Sequence, residues 1–175
     1  MTLDAQQLKR YIRDIPDFPK PGILFRDITP LLQNGSVLRT VIDRLADRYT
    51  DQRVDAVVAV ESRGLIFGAP LAYRLGAGLI PVRKAGKLPA KTVKATYTLE
   101  YGEGVLEMHA DSLSPGKRVL LVDDLLATGG TMGAVVKLME HFSAKIIEVA
   151  FLVELTALGG RARLGKHPVF AQVQY

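Results

Sequence analysis

At 175 residues the chain fits one domain, and its 48% apolar content excludes an intrinsically disordered protein. Lys plus Arg number 23 against 18 Asp plus Glu; the formal charge of +5 suits an anionic ligand without demanding nucleic acid. With no cysteine, disulfides, zinc thiolate sites, iron–sulfur clusters and cysteine nucleophiles are excluded.

The opening residues, MTLDAQQLKRYIRDI, mix charge with apolar positions and lack the apolar run of a secretory signal. No stretch reaches the roughly 18 apolar residues of a membrane span, so a cytoplasmic protein with no membrane partner is expected. Leu8, Tyr11, Ile12 and Ile15 recur at helical spacing and predict an amphipathic helix, stopped by Pro16, Pro19 and Pro21. The segment PKPGILFRDITPLL, 19–32, reads as an ordered loop. Asn34-Gly35-Ser36 reads as a turn rather than a glycosylation site, with Ser36 the N-cap of a helix striped by Val37, Leu38, Val41, Ile42, Leu45 and Tyr49.

From here apolar runs alternate with helical periodicity. AVVAV at 56–60 predicts a strand buried on both faces, the mark of a parallel sheet. A turn over Glu61, Ser62, Arg63 and Gly64 leads to a helix at about 65–75, then a strand at 79–83. Residues 97–101 and 105–109 alternate well enough for a β-ribbon joined at 102–104. A buried strand at 119–122, a helix from Thr131 striped by Met132, Val135, Val136, Met139 and Phe142, and strands at 146–153 and 169–173 complete the chain. Strand, helix, strand, helix implies right-handed crossovers: an α/β, doubly wound, mostly parallel sheet flanked by helices, in one domain over 1–175.

Ligands of open α/β sheets bind at the carboxyl ends of the strands. VLLVDDLLATGGT, 119–131, delivers Asp123 and Asp124 to such an end, followed by Ala127, Thr128, Gly129, Gly130 and Thr131 at a helix start. Small residues let main-chain amides turn inward as an anion nest, and the helix N-terminus adds about half a positive charge. A phosphate held there, beside carboxylates that accept hydrogen bonds from vicinal hydroxyls, describes a ribose 5-phosphate. The alternative is a Gly-rich turn with an acidic cap. The patterns GxxxxGK[ST], GxGxxG, GxSxG and HExxH are absent.

VDDLLATGGT resembles the PRPP (phosphoribosyl pyrophosphate) signature of the type I phosphoribosyltransferases. PGILFRD, ESRG, VRKAGKLP, YTLEYG and VELTALGG extend the resemblance over nearly the whole chain, and LEYG with PGILFRD points to the adenine branch. That resemblance implies purine salvage, adenine and PRPP giving AMP and pyrophosphate, with Mg²⁺ bound through PRPP and water rather than by direct protein ligands. It implies a hood over the base at 1–34 and a flexible lid at about 88–103. It assigns the ribose hydroxyls to Asp123 and Asp124, the 5-phosphate to Ala127, Thr128, Gly129, Gly130 and Thr131, and pyrophosphate to Arg63 and Lys87. An unusual peptide, cis or strained, is expected between Glu61 and Gly64.

Arg83, Lys84, Lys87, Lys91 and Lys94 form a basic run without an acid, which by itself reads as a solvated loop. By resemblance Arg83 reaches a neighbouring subunit's site, implying a homodimer. Glu100 is implied as the general acid/base near the purine N7, with Tyr101 packed over ribose and pyrophosphate. Leu24 and Arg26 offer main-chain groups to adenine, with Phe25 and Leu155 around it. His109, His141 and His167 fit no metal triad. Two other readings stay open: a phosphoribosyltransferase for a 6-oxo purine, and a PRPP-sensing regulator that binds nucleic acid. Against the regulator, little room precedes the first sheet strand for a DNA-binding module.

Overall fold

The computed structural model describes residues 3–98 and 103–175. Its frame is a seven-stranded sheet in which β3 (Ala56–Val60) lies between β4 (Gly78–Lys84) and β7 (Arg118–Leu126). Beyond β7 come β8 (Lys145–Glu154) and β9 (Val169–Gln174), all five strands parallel. Beyond β4 come β6 (Glu103–His109) and β5 (Thr92–Thr98), which run antiparallel. All of AVVAV is buried because both faces are covered. Val57 and Ala59 pack on α4 (Arg63–Leu75) in a core shared with α3 (Gly35–Tyr49) on one side, while Ala56, Val58 and Val60 face the core of α5 (Gly130–His141) on the other. Phe67 and Leu71 of α4 are fully buried, and each stabilises by roughly 1.5–3 kcal/mol.

The amino-terminal region departs from expectation. An Asp4 capping box starts α1 (Ala5–Lys9), but the helix ends there. Residues Arg13–Ile15 instead form β1, paired antiparallel with β2 (Phe25–Asp27) in a separate two-stranded sheet. Reciprocal ion pairs, Arg13 with Asp27 and Arg26 with Asp14, lock that register. The segment read as a loop therefore holds β2 and a short helix, α2 (Thr29–Gln33). The cap of α3 is Asn34, whose side chain accepts from the Val37 amide; Ser36 lies inside the helix and no turn separates them.

The ribbon is also shifted. Thr92–Thr98 pairs with Glu103–His109, so Gly104 lies in a strand rather than in the connection. Gly104 is opposite Tyr97, and a Cβ there would stand 2.4 Å from the tyrosine ring, so the ring lies over the glycine in this rotamer. The α4 helix begins at Arg63, two residues earlier than expected.

Candidate active site

Because β3 and β7 are adjacent and parallel, the turn after β3 and the loop after β7 meet at one edge of the sheet. The Glu61–Ser62 peptide is cis, within the segment where an unusual peptide was expected. Asp123 and Asp124 lie inside β7, which runs on to Leu126 while paired with β8, rather than just past its end. They line a cavity of about 270 Å³ together with Arg63 and the 127–131 loop. Oδ1 of Asp123 accepts from the Asp124 amide at 2.9 Å. The close seat of Asp123 requires Gly64: a Cβ there would lie 2.8 Å from its Oδ1.

Burial, and then the charge of Asp124, push Asp123 well above the usual aspartate range. Burial pushes Asp124 up as well, with Arg63 pulling the other way. Arg63 Nε lies 2.9 Å from the buried Oδ2 of Asp124, and that oxygen makes no hydrogen bond, so the contact is an ion pair without bond alignment.

Gly129 caps α5 with φ of +81°, a left-handed conformation that glycine adopts without penalty. Its carbonyl accepts from the Gly133 amide at 2.8 Å, which turns the loop into the helix. A Cβ on Gly129 would stand 2.3 Å from the carbonyl oxygen of Gly160, and one on Gly160 would stand 2.2 Å from that of Ala127. The loop over 127–131 and the Gly159-Gly160 turn are thus interlocked backbone to backbone. Gly160 closes VELTALGG, and its role depends on a contact across the fold that the motif itself does not express.

A second cavity, about 260 Å³, adjoins the first. Leu24, Phe25 and Arg26 form one wall and Leu155 and Leu158 the other, so the residues expected around a base are together. Arg63, Tyr97, Ala127, Thr128, Gly130 and Thr131 line both cavities. Tyr97 was not singled out by sequence as a site residue.

The basic segment is held by two carboxylates, the partly buried Glu61 and the buried Glu107. Glu61 accepts from Arg83 Nε and from the Lys84 amide, both at 2.8 Å. Glu107 accepts from the Gly86 amide at 3.0 Å and pairs with Lys94 at 2.9 Å. Burial opposes ionisation of Glu61, but the Lys84 amide and Arg83 outweigh it and hold the carboxyl below its ordinary range. Arg83, expected to reach a neighbouring subunit, is turned onto Glu61 of its own chain and donates to the Lys87 carbonyl at 3.2 Å. Lys84 lines the first cavity; Lys87 is not among the residues lining it. Glu100 and Tyr101 lie outside the described residues, as do 99 and 102 within the span of the expected lid.

The phosphoribosyl transferase domain family matches residues 27–171. The adenine phosphoribosyltransferase of Roseiflexus sp. (strain RS-1) is 60% identical over 164 residues, covering 94% of this chain and 95% of that one. The crystal structure of adenine phosphoribosyltransferase from Thermoanaerobacter pseudethanolicus matches with a TM-score of 0.94 at 47% identity, over 98% of this chain and 99% of that one. The Saccharomyces cerevisiae enzyme, complexed with an imino-altritol bisphosphate and adenine, matches with a TM-score of 0.91 at 41% identity, over 96% and 97% of the two chains.

Proposed function

The chain belongs to the phosphoribosyl transferase domain family and, within it, to the adenine phosphoribosyltransferases, and from that premise we propose how its two cavities make a nucleotide. The enzyme is a pentosyl glycosyltransferase of purine salvage: it transfers the 5-phosphoribosyl group of PRPP to adenine, giving AMP and pyrophosphate. The observation that carries the assignment of parts is the junction of a phosphate-type loop and twin aspartates with an apolar, base-sized pocket.

N9 of adenine bonds to C1 of the ribose as the C1–O bond breaks, and the electron pair leaves on pyrophosphate. Positioning and electrostatics supply most of the catalysis of such a step. Amides of 127–131 at the start of α5 hold the 5-phosphate. Asp123 and Asp124 accept from the ribose hydroxyls, and their negative charge favours the cationic ribose. Arg63 exchanges Asp124 for pyrophosphate, assisted by the basic segment around Lys84 and Lys87. The proton leaving the base passes to Glu100, the general acid/base, while Tyr101 covers the ribose. Main-chain groups of Leu24 and Arg26 read the 6-amino group, since a 6-oxo purine would set acceptor against acceptor.

The buried Oδ2 of Asp124, which has an ion pair with Arg63 but no hydrogen bond, and the neighbouring Asp123 are hard oxygen donors, the class Mg²⁺ accepts. Asp123 and Asp124 would lie beside an Mg²⁺ carried in by PRPP and water, and the ion would supply charge neutralisation for the leaving pyrophosphate. A homodimer is supported by the exposed Ile66 and Tyr73 on one face of α4, with the exposed Leu79 packed near Gly68 of the same helix. Among the described residues no helix is long and apolar enough to cross a membrane. The charged phosphate esters it handles suit a cytoplasmic site of action.

Protein, PRPP and Mg²⁺ incubated with each purine base should yield AMP from adenine alone; IMP or GMP at comparable rates overturns the base assignment. Salt-sensitive DNA binding without nucleotide synthesis would favour the regulator. Glu100→Gln should lower kcat at least tenfold with PRPP binding intact; unchanged turnover removes Glu100 from the mechanism.

A further inference from the structure

The motif VFAQVQY, whose strand portion is β9, ends beside the base pocket with a role that the catalytic reading does not use. Tyr175 follows β9, and its amide donates to the Glu154 carbonyl at 2.9 Å. Its own carbonyl accepts twice from Thr156, from the amide at 2.9 Å and from the hydroxyl at 2.6 Å. Thr156 opens the short 3-10 turn that carries Leu158, directly after Leu155, so the main chain of Tyr175 fixes one wall of the pocket.

The ring of Tyr175 fixes the opposite wall. The guanidinium carbon of Arg26 stacks 3.7 Å from its centroid, and Lys9 Nζ lies 4.5 Å from it. Arg26 sits on β2, is mostly buried, pairs with Asp14, and has a buried Nε with no hydrogen-bond partner. Its guanidinium is therefore oriented by the ring and Asp14, and its main chain is held where the pocket needs it. The ring is half-buried, so the contact is partly shielded from water.

Resting on the reading of this pocket as the adenine site, we propose that Tyr175 is a positioning residue for adenine: it ties the Arg26 wall to the Leu155–Leu158 wall, across a gap that no main-chain pairing between β2 and the 3-10 turn bridges. The residue touches neither base nor sugar and acts through Arg26 and Thr156. Loss of the ring frees the Arg26 wall, while the main-chain bonds of Tyr175 to Thr156 persist and leave the 127–131 loop in place.

Steady-state kinetics of wild type, Tyr175→Ala and Tyr175→Phe test this. Wild type that forms no AMP in the same assay would overturn the activity on which this reading rests, whereas AMP formation with the outcomes below unmet would overturn the role of Tyr175 alone. Tyr175→Ala should raise KM for adenine about tenfold while KM for PRPP stays within about twofold. Tyr175→Phe, which keeps the aromatic face, should restore the adenine KM. If Tyr175→Ala does not fold, Tyr175→Leu and Arg26→Met, singly and together, should each raise the adenine KM and be strongly non-additive. An unchanged adenine KM, parallel rises in both KM values, failure of Tyr175→Phe to rescue, or additive single effects would overturn the proposal.

Discussion

Arg63 and Asp124 neutralise each other across 2.9 Å in the cavity where the sugar diol and pyrophosphate are to meet. Each is the other's stand-in for substrate: the carboxylate occupies the cation, and the cation partly offsets the cost of a buried carboxylate. Removing Arg63 takes away the influence that lowers Asp124, so the acid's pKa moves further above the ordinary aspartate range. The acidic limb of the kcat/KM profile for PRPP in Arg63→Met should therefore shift to higher pH than in wild type, with the same substrate used for both. A shift to lower pH, or none, contradicts the pairing.

The twin acids should also cost stability. Both are held above the usual range by burial, so between that range and their folded values the native state binds more protons than the unfolded chain. Folding is thus penalised progressively as pH rises through that window. Asp123→Asn removes the penalty and keeps an acceptor for the Asp124 amide. Its Tm without substrate should exceed wild type by a few degrees at pH 7 to 8, with the difference vanishing near pH 4, while turnover falls more than tenfold. Differential scanning calorimetry across pH reads the sign directly.

Gly160 does not need a left-handed backbone, so Gly160→Ala isolates one contact. The added Cβ would meet the Ala127 carbonyl at 2.2 Å and the Leu126 side chain at 2.9 Å. Main chain yields poorly, so the 127–131 loop must move, at a cost of about 1–3 kcal/mol in stability. Calorimetric titration should show PRPP affinity down at least tenfold. Retained affinity would mean that the interlock with the Gly159-Gly160 turn is dispensable.

Glu107 offers a test at the opposite rim. The Lys94 hydrogen bond first, and then the Gly86 amide, hold its carboxyl below the ordinary glutamate range despite burial. The stabilisation it gives is present above that range and lost as pH falls through its folded value. Glu107→Ala should raise KM for PRPP severalfold with KM for adenine unmoved, and Glu107→Gln, which can still accept from Gly86, should be milder. Equal effects of the two variants would place the role elsewhere than in the Gly86 bond.

Patterns confined to one stretch of chain were legible in the sequence. AVVAV declared a doubly covered strand, and the acid pair with its small-residue loop lies where a parallel strand meets a helix. Pairing between distant segments was hidden. Arg13–Ile15 carries helical spacing, yet it pairs with Phe25–Asp27 because Asp14 and Asp27 each find an arginine across the ladder. The ribbon register places Tyr97 opposite Gly104, a cross-strand pairing that alternation along one strand cannot express. Gly160 and Tyr175 were unreadable for the same reason: what they do depends on carbonyls and rings contributed from elsewhere in the fold.

The two cavities adjoin, with Arg63, Tyr97, Thr128 and Thr131 lining both. A single rigid compound that joins a purine-like head to a phosphorylated sugar mimic would fill them together. It would lose its rotational and translational freedom once, where two separate fragments lose it twice. Inhibitor chemistry is therefore better directed at the length and stiffness of that join than at strengthening either end.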